Sequence, residues 1–226
     1  MDPNRSALRV FALADMPSEP WRNGQGVTRT LAWGGCATPS VVSAHHTGTR
    51  AADLAALAGA GPKAADSRAD AWQWRVSVAS ITQDGPFSCF DGVDRISLLI
   101  AGQALSLQDA SGKPVLHLGL HQSAGYPGET ALWARCHGTP LQCLNVMTRR
   151  AQARAHLRLV SERTALAGEC VALVLQGAFC AHFGPAQKFM ENMPAGHVLQ
   201  ALPATNIIVS ASQPDSLLAL VELFCG

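Results

Sequence analysis

Between residues 72 and 79 apolar and polar side chains alternate. Trp72, Trp74, Val76 and Val78 fall on one side, Gln73, Arg75, Ser77 and Ala79 on the other. A period of two is that of a strand with one face in a core and the other free to line something polar. Asp84, Gly85 and Pro86 break the strand, and Asp91, Gly92 and Asp94 make a second turn before Arg95 opens the apolar run 96–100. An arginine on a polar strand face, with another at a strand mouth, is the natural wall of a ligand pocket.

The same short-period pattern recurs along the chain. Strands are predicted over residues 9–13, 27–33, 115–120, 131–136 and 141–147, with a turn over 125–129. Residues 34–70 are rich in Ala, Gly and Ser and read as a surface excursion carrying one short helix over 51–58. From residue 155 the pattern starts again. Leu98-Leu99-Ile100-Ala101-Gly102 returns as Leu173-Val174-Leu175-Gln176-Gly177 (177 − 102 = 75), and 141–147 is echoed by 216–222 at the same separation (216 − 141 = 75). Two similar halves of short strands predict an all-β protein of paired sandwiches or barrels.

Composition narrows the function. The 226 residues are 48% hydrophobic and 15% charged, enough for a sizeable core. The net charge of +1 leaves no electrostatic footprint for nucleic acid or an anionic membrane, and no apolar run is long enough to span a bilayer. The expected partner is a small molecule, with a homodimer left open. Seven cysteines with no Cys-x-x-Cys, mostly among apolar neighbours, read as unpaired thiols in a cytoplasmic protein.

Metal and nucleophile chemistry find little support. There is no His-x-His; His45 and His46 would point to opposite faces of a strand, and His117 and His121 lie in a segment too short and alternating for a helical pair. No Gly-x-Ser-x-Gly occurs, and Ser77 and Ser88 have no local histidine. The expectation is no metal, no cofactor and no catalytic residue. What remains is rich in donors and aromatic rings: Trp21, Asn23, Trp74, Arg75, Ser77, Ser88, Phe90, Arg95 and Asn145. Such a set suits a carboxylated metabolite gripped by an arginine fork and covered by rings. For Arg95 the competing reading is a turn arginine paired with Asp91 or Asp94. For Trp21 and Trp74 it is core packing.

Four motifs in order carry a family resemblance: Trp21-x-Asn23-Gly24-x-Gly26-x-Thr28, Trp74-Arg75-x-Ser77-x-Ala79, the run from Asp84-Gly85-Pro86-Phe87-Ser88 to Asp94-Arg95, and Leu144-Asn145-Val146-Met147-x-Arg149-Arg150. Together they resemble the HutD/Ves family. The resemblance implies a bicupin, two jelly-roll β-barrels without the usual metal ligands, here divided as residues 1–150 with the ligand pocket and residues 151–226 as a structural partner, with strand exchange between them allowed. It adds Gly24, Gly26, Thr28 and Met147 to the expected ligand-binding set. It also implies binding of a histidine-degradation intermediate, such as urocanate, formiminoglutamate or formylglutamate, and regulation of histidine utilisation. A hydrolase or isomerase acting on such compounds, and a stress-related structural protein without ligand, remain alternatives. The chain departs from the family pattern at Gln25, where glycine is usual, and at Thr30, where an acidic residue is common.

Overall fold

The computed structural model describes residues 8–21, 24–35, 72–187, 189–203 and 206–225. The predicted helix at 51–58, His45, His46 and Asn23 lie outside them. The described strands run β1 (Leu8–Ala12), β2 (Glu19–Pro20), β3 (Gly26–Gly34), β4 (Trp74–Ile81), β5 (Gly85–Pro86), β6 (Val93–Ala101), β7 (Ala104–Gln108), β8 (Pro114–Gly119), β9 (Ser123–Pro127) and β10 (Trp133–Arg135). They continue as β11 (Leu141–Arg149), β12 (Ala153–Val160), β13 (Thr164–Leu166), β14 (Glu169–Gln176), β15 (Ala178–Phe183), β16 (Phe189–Pro194), β17 (His197–Ala201), β18 (Ile207–Ala211) and β19 (Leu217–Cys225). All strand pairings among them are antiparallel. No described helix is long and apolar enough to cross a membrane.

Four sheets stack in layers, and strand alternation decides what fills each gap. A six-stranded sheet, β2-β3-β4-β11-β6-β9, faces a four-stranded one, β5-β10-β7-β8. Ala79, Ile81, Leu99 and Cys143 from the first interdigitate with Leu105, Leu107, Leu118 and Ala134 from the second. On its other face the six-stranded sheet turns Trp74, Val76, Val78, Leu98, Leu144 and Val146 toward Val171, Leu173, Val198, Ala219 and Val221 of a five-stranded sheet, β1-β17-β14-β19-β12. That sheet packs Cys170, Ala172, Leu199 and Leu220 against Phe179, Ala181, Met193 and Val209 of the outer sheet β13-β18-β15-β16. Strands buried on both faces read as nearly continuous apolar runs, which is why β14 and β19 alternate so weakly in sequence.

The 75-residue echo survives as register. On β11, Asn145 and Met147 lie opposite Ser97 and Arg95 of β6 and Ser77 and Arg75 of β4. On β19, Leu220 and Glu222 lie opposite Ala172 and Cys170 of β14 and Arg158 and His156 of β12. Two expectations need correction. The turn placed at 125–129 is mostly strand β9, the edge of the six-stranded sheet, where Gly125 is accommodated and Pro127 sits at the strand end. Cys225 is disulfide-bonded, so the reading of seven unpaired thiols fails there; Cys136, Cys143 and Cys170 are buried free thiols, whereas Cys89 is exposed.

Candidate functional site

The polar face of β4 opens into a cavity of about 80 Å³. Arg75, Ser77 and Ala79 enter it from β4, Arg95 from β6, and Asn145 and Met147 from β11. Phe87, Ser88 and Phe90 come from the segment between β5 and β6, and Trp21 and Thr28 from the β2–β3 hairpin. Nine of the thirteen expected residues therefore meet at one place: Trp21, Thr28, Arg75, Ser77, Ser88, Phe90, Arg95, Asn145 and Met147.

Of the other four, Asn23 lies outside the described residues, and Trp74, Gly24 and Gly26 do not line it. Trp74 is only 1% exposed and packs between the six- and five-stranded sheets. Strand alternation demands this, since Arg75 next to it faces the cavity. Gly24 and Gly26 shape the hairpin that carries Trp21 and Thr28. Gly24 takes φ +70, and a Cβ on Gly26 would run into the Ser80 carbonyl oxygen and come within 3.3 Å of the Trp21 ring. Ala79 and Phe87 were missed as site residues. Ala79 shared the β4 face with Arg75 and Ser77, so its position was legible from alternation; Phe87 sits in an irregular segment with no periodic signal.

Arg95 is the centre of the wall. It is 7% exposed, donates from Nη1 to the Ser88 carbonyl oxygen at 3.0 Å, and lies 5.2, 5.7 and 5.3 Å from the ring centroids of Phe87, Phe90 and Tyr126. Three ring faces stabilise the cation and hold the planar fork in one orientation. Among the described residues its Nε has no hydrogen-bond partner. The alternative pairing with Asp94 is not made, because Asp94 is bonded to Arg150 at 2.8 Å. Arg75 donates from Nη2 to Thr30 Oγ1 at 2.8 Å. Burial lowers its pKa from the ordinary arginine value, a shift opposed by the charge of exposed Glu19 and deepened by Arg95. It stays protonated near neutral pH, as arginines do. Among the described residues neither guanidinium has a carboxylate within ion-pairing distance.

The rest of the wall is fixed by short bonds. Trp21 Nε1 donates to Thr28 Oγ1 at 2.8 Å, and the Trp21 ring meets Phe87 edge-on at a centroid distance of 6.4 Å. Trp72 is buried with Val93 and Met147, and Phe90 packs against the same cluster. Behind the wall the Cys143 thiol is pushed up to about 12 by burial, partly countered by Arg95, so it is no thiolate nucleophile at neutral pH. No carboxylate, imidazole or thiol is among the described residues that line the cavity. Among the described residues no three His, Cys, Asp or Glu side chains converge as a metal site would require.

The matching place in the second pair of sheets is built differently. There Glu222 accepts from Arg158 at 3.2 Å and lies 3.4 Å from His156 Nδ1. Burial alone would raise the Glu222 carboxyl, but the bonds from Arg158 and His156 hold it below its ordinary value. Among the described residues the two cations of the first cavity meet no carboxylate, whereas the matching place in the second pair of sheets supplies its own anion.

This fold and cavity define a bicupin with a cation-bearing pocket in one of its two barrels. Residues 13–190 match the HutD family, and the chain belongs to it. It is 30% identical to Protein Ves of Citrobacter koseri over 159 residues, which are 70% of this chain and 65% of that one, so it spans a little under two thirds of that relative. Among solved structures it is similar to HutD from Pseudomonas fluorescens SBW25, with a TM-score of 0.70 and 19% identity over 97% of this chain and 100% of that one. A conserved protein of unknown function from Pseudomonas aeruginosa PAO1 has the same fold, with a TM-score of 0.70, 20% identity, and coverage of 96% and 98%.

Proposed function

We propose that the pocket of the first barrel binds a small carboxylated metabolite of histidine breakdown, such as urocanate, formiminoglutamate or formylglutamate, without a metal, and that its occupancy regulates histidine utilisation. One observation carries the reading: Arg75 and Arg95 enter one cavity, Arg95 almost wholly buried, and no described carboxylate pairs with either. A buried cation without an internal counter-ion is costly, and an anionic ligand removes that cost. The ring cage around Arg95 presents its fork already oriented, which lowers the ordering cost of binding. The link to histidine utilisation rests on membership of the HutD family.

Binding is favoured over catalysis because the described lining offers no carboxylate, imidazole or thiol to move a proton or to activate the Ser77 and Ser88 hydroxyls. The test is calorimetric titration of the three metabolites into wild type, Arg75→Ala, Arg95→Ala and Arg95→Lys, with thermal unfolding to confirm that each is folded. Truncating a partner of a buried charged pair costs about 2–5 kcal/mol, so each alanine variant should bind roughly 30-fold or more weakly, with partial rescue by lysine. Wild-type affinity in both alanine variants would make the arginines structural and end the assignment.

A further inference from the structure

Behind the pocket wall, Ser97 of β6 lies opposite Asn145 of β11, and Tyr126 of β9 lies opposite Arg95. Ser97 is fully buried, and its Oγ is 2.8 Å from both the Tyr126 hydroxyl and Asn145 Oδ1. The direction of these bonds can be worked out. Asn145 Nδ2 is the atom 3.5 Å from the Cys143 carbonyl oxygen, so turning the amide over would set two acceptors against each other. Oδ1 therefore faces Ser97, and because it can only accept, it takes the single Ser97 proton. Ser97 must then accept from Tyr126. Burial raises the Tyr126 pKa despite the opposing influence of Arg95, so the phenol keeps the proton it donates.

The chain runs one way, from Tyr126 through Ser97 to Asn145, and its consequence lies at the far end. One amide hydrogen of Asn145 faces the Cys143 carbonyl and the other is left for the cavity that Asn145 lines. Thr28 is set similarly: its oxygen accepts from Trp21, leaving its hydroxyl proton to donate. Arg75 and Arg95 have donors only.

We infer that the Tyr126–Ser97–Asn145 chain, together with the Cys143 carbonyl, fixes Asn145 as a hydrogen-bond donor toward the cavity, so that the pocket favours a ligand presenting an acceptor to the Asn145 side and disfavours one that brings an N–H donor there. Tyr126 and Ser97 are positioning residues; neither lines the cavity. This rests on the carboxylate reading above and adds the polarity of what lies beside the carboxylate.

Pyruvate and oxamate test it, since they carry the same charge in nearly the same shape and differ in a methyl against an amide NH₂. Their dissociation constants are measured by calorimetry for wild type, Tyr126→Phe and Ser97→Ala, with melting temperatures recorded alongside. Wild type should hold pyruvate at least about 5-fold more tightly, because the oxamate NH₂ on the Asn145 side would meet an amide hydrogen in place of an acceptor. In both variants the ratio should fall below about twofold, because only the long 3.5 Å bond to the Cys143 carbonyl then resists turning the Asn145 amide over. A merely structural loss would weaken both probes together and leave the ratio alone. Equal wild-type affinities, or a wild-type ratio kept by both variants, overturns the inference while the carboxylate site stands. If neither probe nor any of the three metabolites binds, both readings fall.

Discussion

Thr30 is the most informative position at which to perturb the pocket without touching its lining. It stands on β3 and accepts the Arg75 Nη2 hydrogen bond at 2.8 Å, supplying an oxygen but no charge. Thr30→Asp would put a carboxylate on the same guanidinium that a ligand carboxylate would use. Two such charges roughly 6 Å apart repel by about 3 kcal/mol at an effective dielectric constant near 20. Thr30 is only half-buried, so solvent screening reduces this to about 1–2 kcal/mol, or roughly 5- to 30-fold in affinity. Thr30→Asn is the control, nearly identical in shape but uncharged. The assay is calorimetric titration of the metabolite that binds wild type most tightly, together with urea unfolding. Affinity should fall in the aspartate variant alone, while its stability holds or rises because Arg75 gains a counter-ion. Equal affinities in the Asp and Asn variants would refute the reasoning, since Arg75 would then not contribute its charge to the ligand.

Two predictions concern the frame that holds the site. Asp84 accepts from the Cys136 backbone N–H at 2.8 Å and from Arg135 at 3.1 Å, and the first of these bonds chiefly depresses its pKa. A carboxyl depressed in the folded state stabilises above its unfolded value of about 4, and the contribution is lost as pH falls through the folded value. Asp84→Asn should therefore destabilise at pH 7 in chemical denaturation and by progressively less on acidification below about pH 4; a gap that stays constant across that range would contradict the linkage. Gly26→Ala should cost about 1–3 kcal/mol in the same assay, because its Cβ meets the Ser80 carbonyl, and unchanged stability would show that the hairpin shifts freely.

Most of the pocket was legible because a strand's side chains obey strict parity. Once Arg75 and Ser77 were placed on the face opposite Val76 and Val78, their cavity was implied, and the same rule excluded Trp74, which its ring and indole N–H had brought into the expected set. Parity could not reveal partners from distant segments. Nothing local marks Tyr126 as the residue beside Arg95, because Gly125 and Pro127 give its segment the composition of a turn; only its place on a sheet edge makes it a strand. For Arg95 the pairing with Asp94 was withdrawn by Arg150, which takes Asp94 and Glu129 from 56 and 21 residues away. The counter-charging of the second barrel was also hidden. His156, Arg158 and Glu222 are scattered in sequence and meet only through the pairing of β12 with β19.

The position of β1 bears on how the chain assembles. Leu8 pairs with Ala201 and Ala12 with His197, so the first described strand completes a sheet made otherwise from residues 153–225. During synthesis this strand leaves the ribosome long before its partner exists, and pairing must close a loop of nearly the whole chain, the kind of non-local contact that slows folding. Until it arrives β17 presents an open edge, a template for another copy's strand. Shortening the protein ahead of residue 13 would therefore injure the end of the chain farthest away in sequence, and would do so as aggregation.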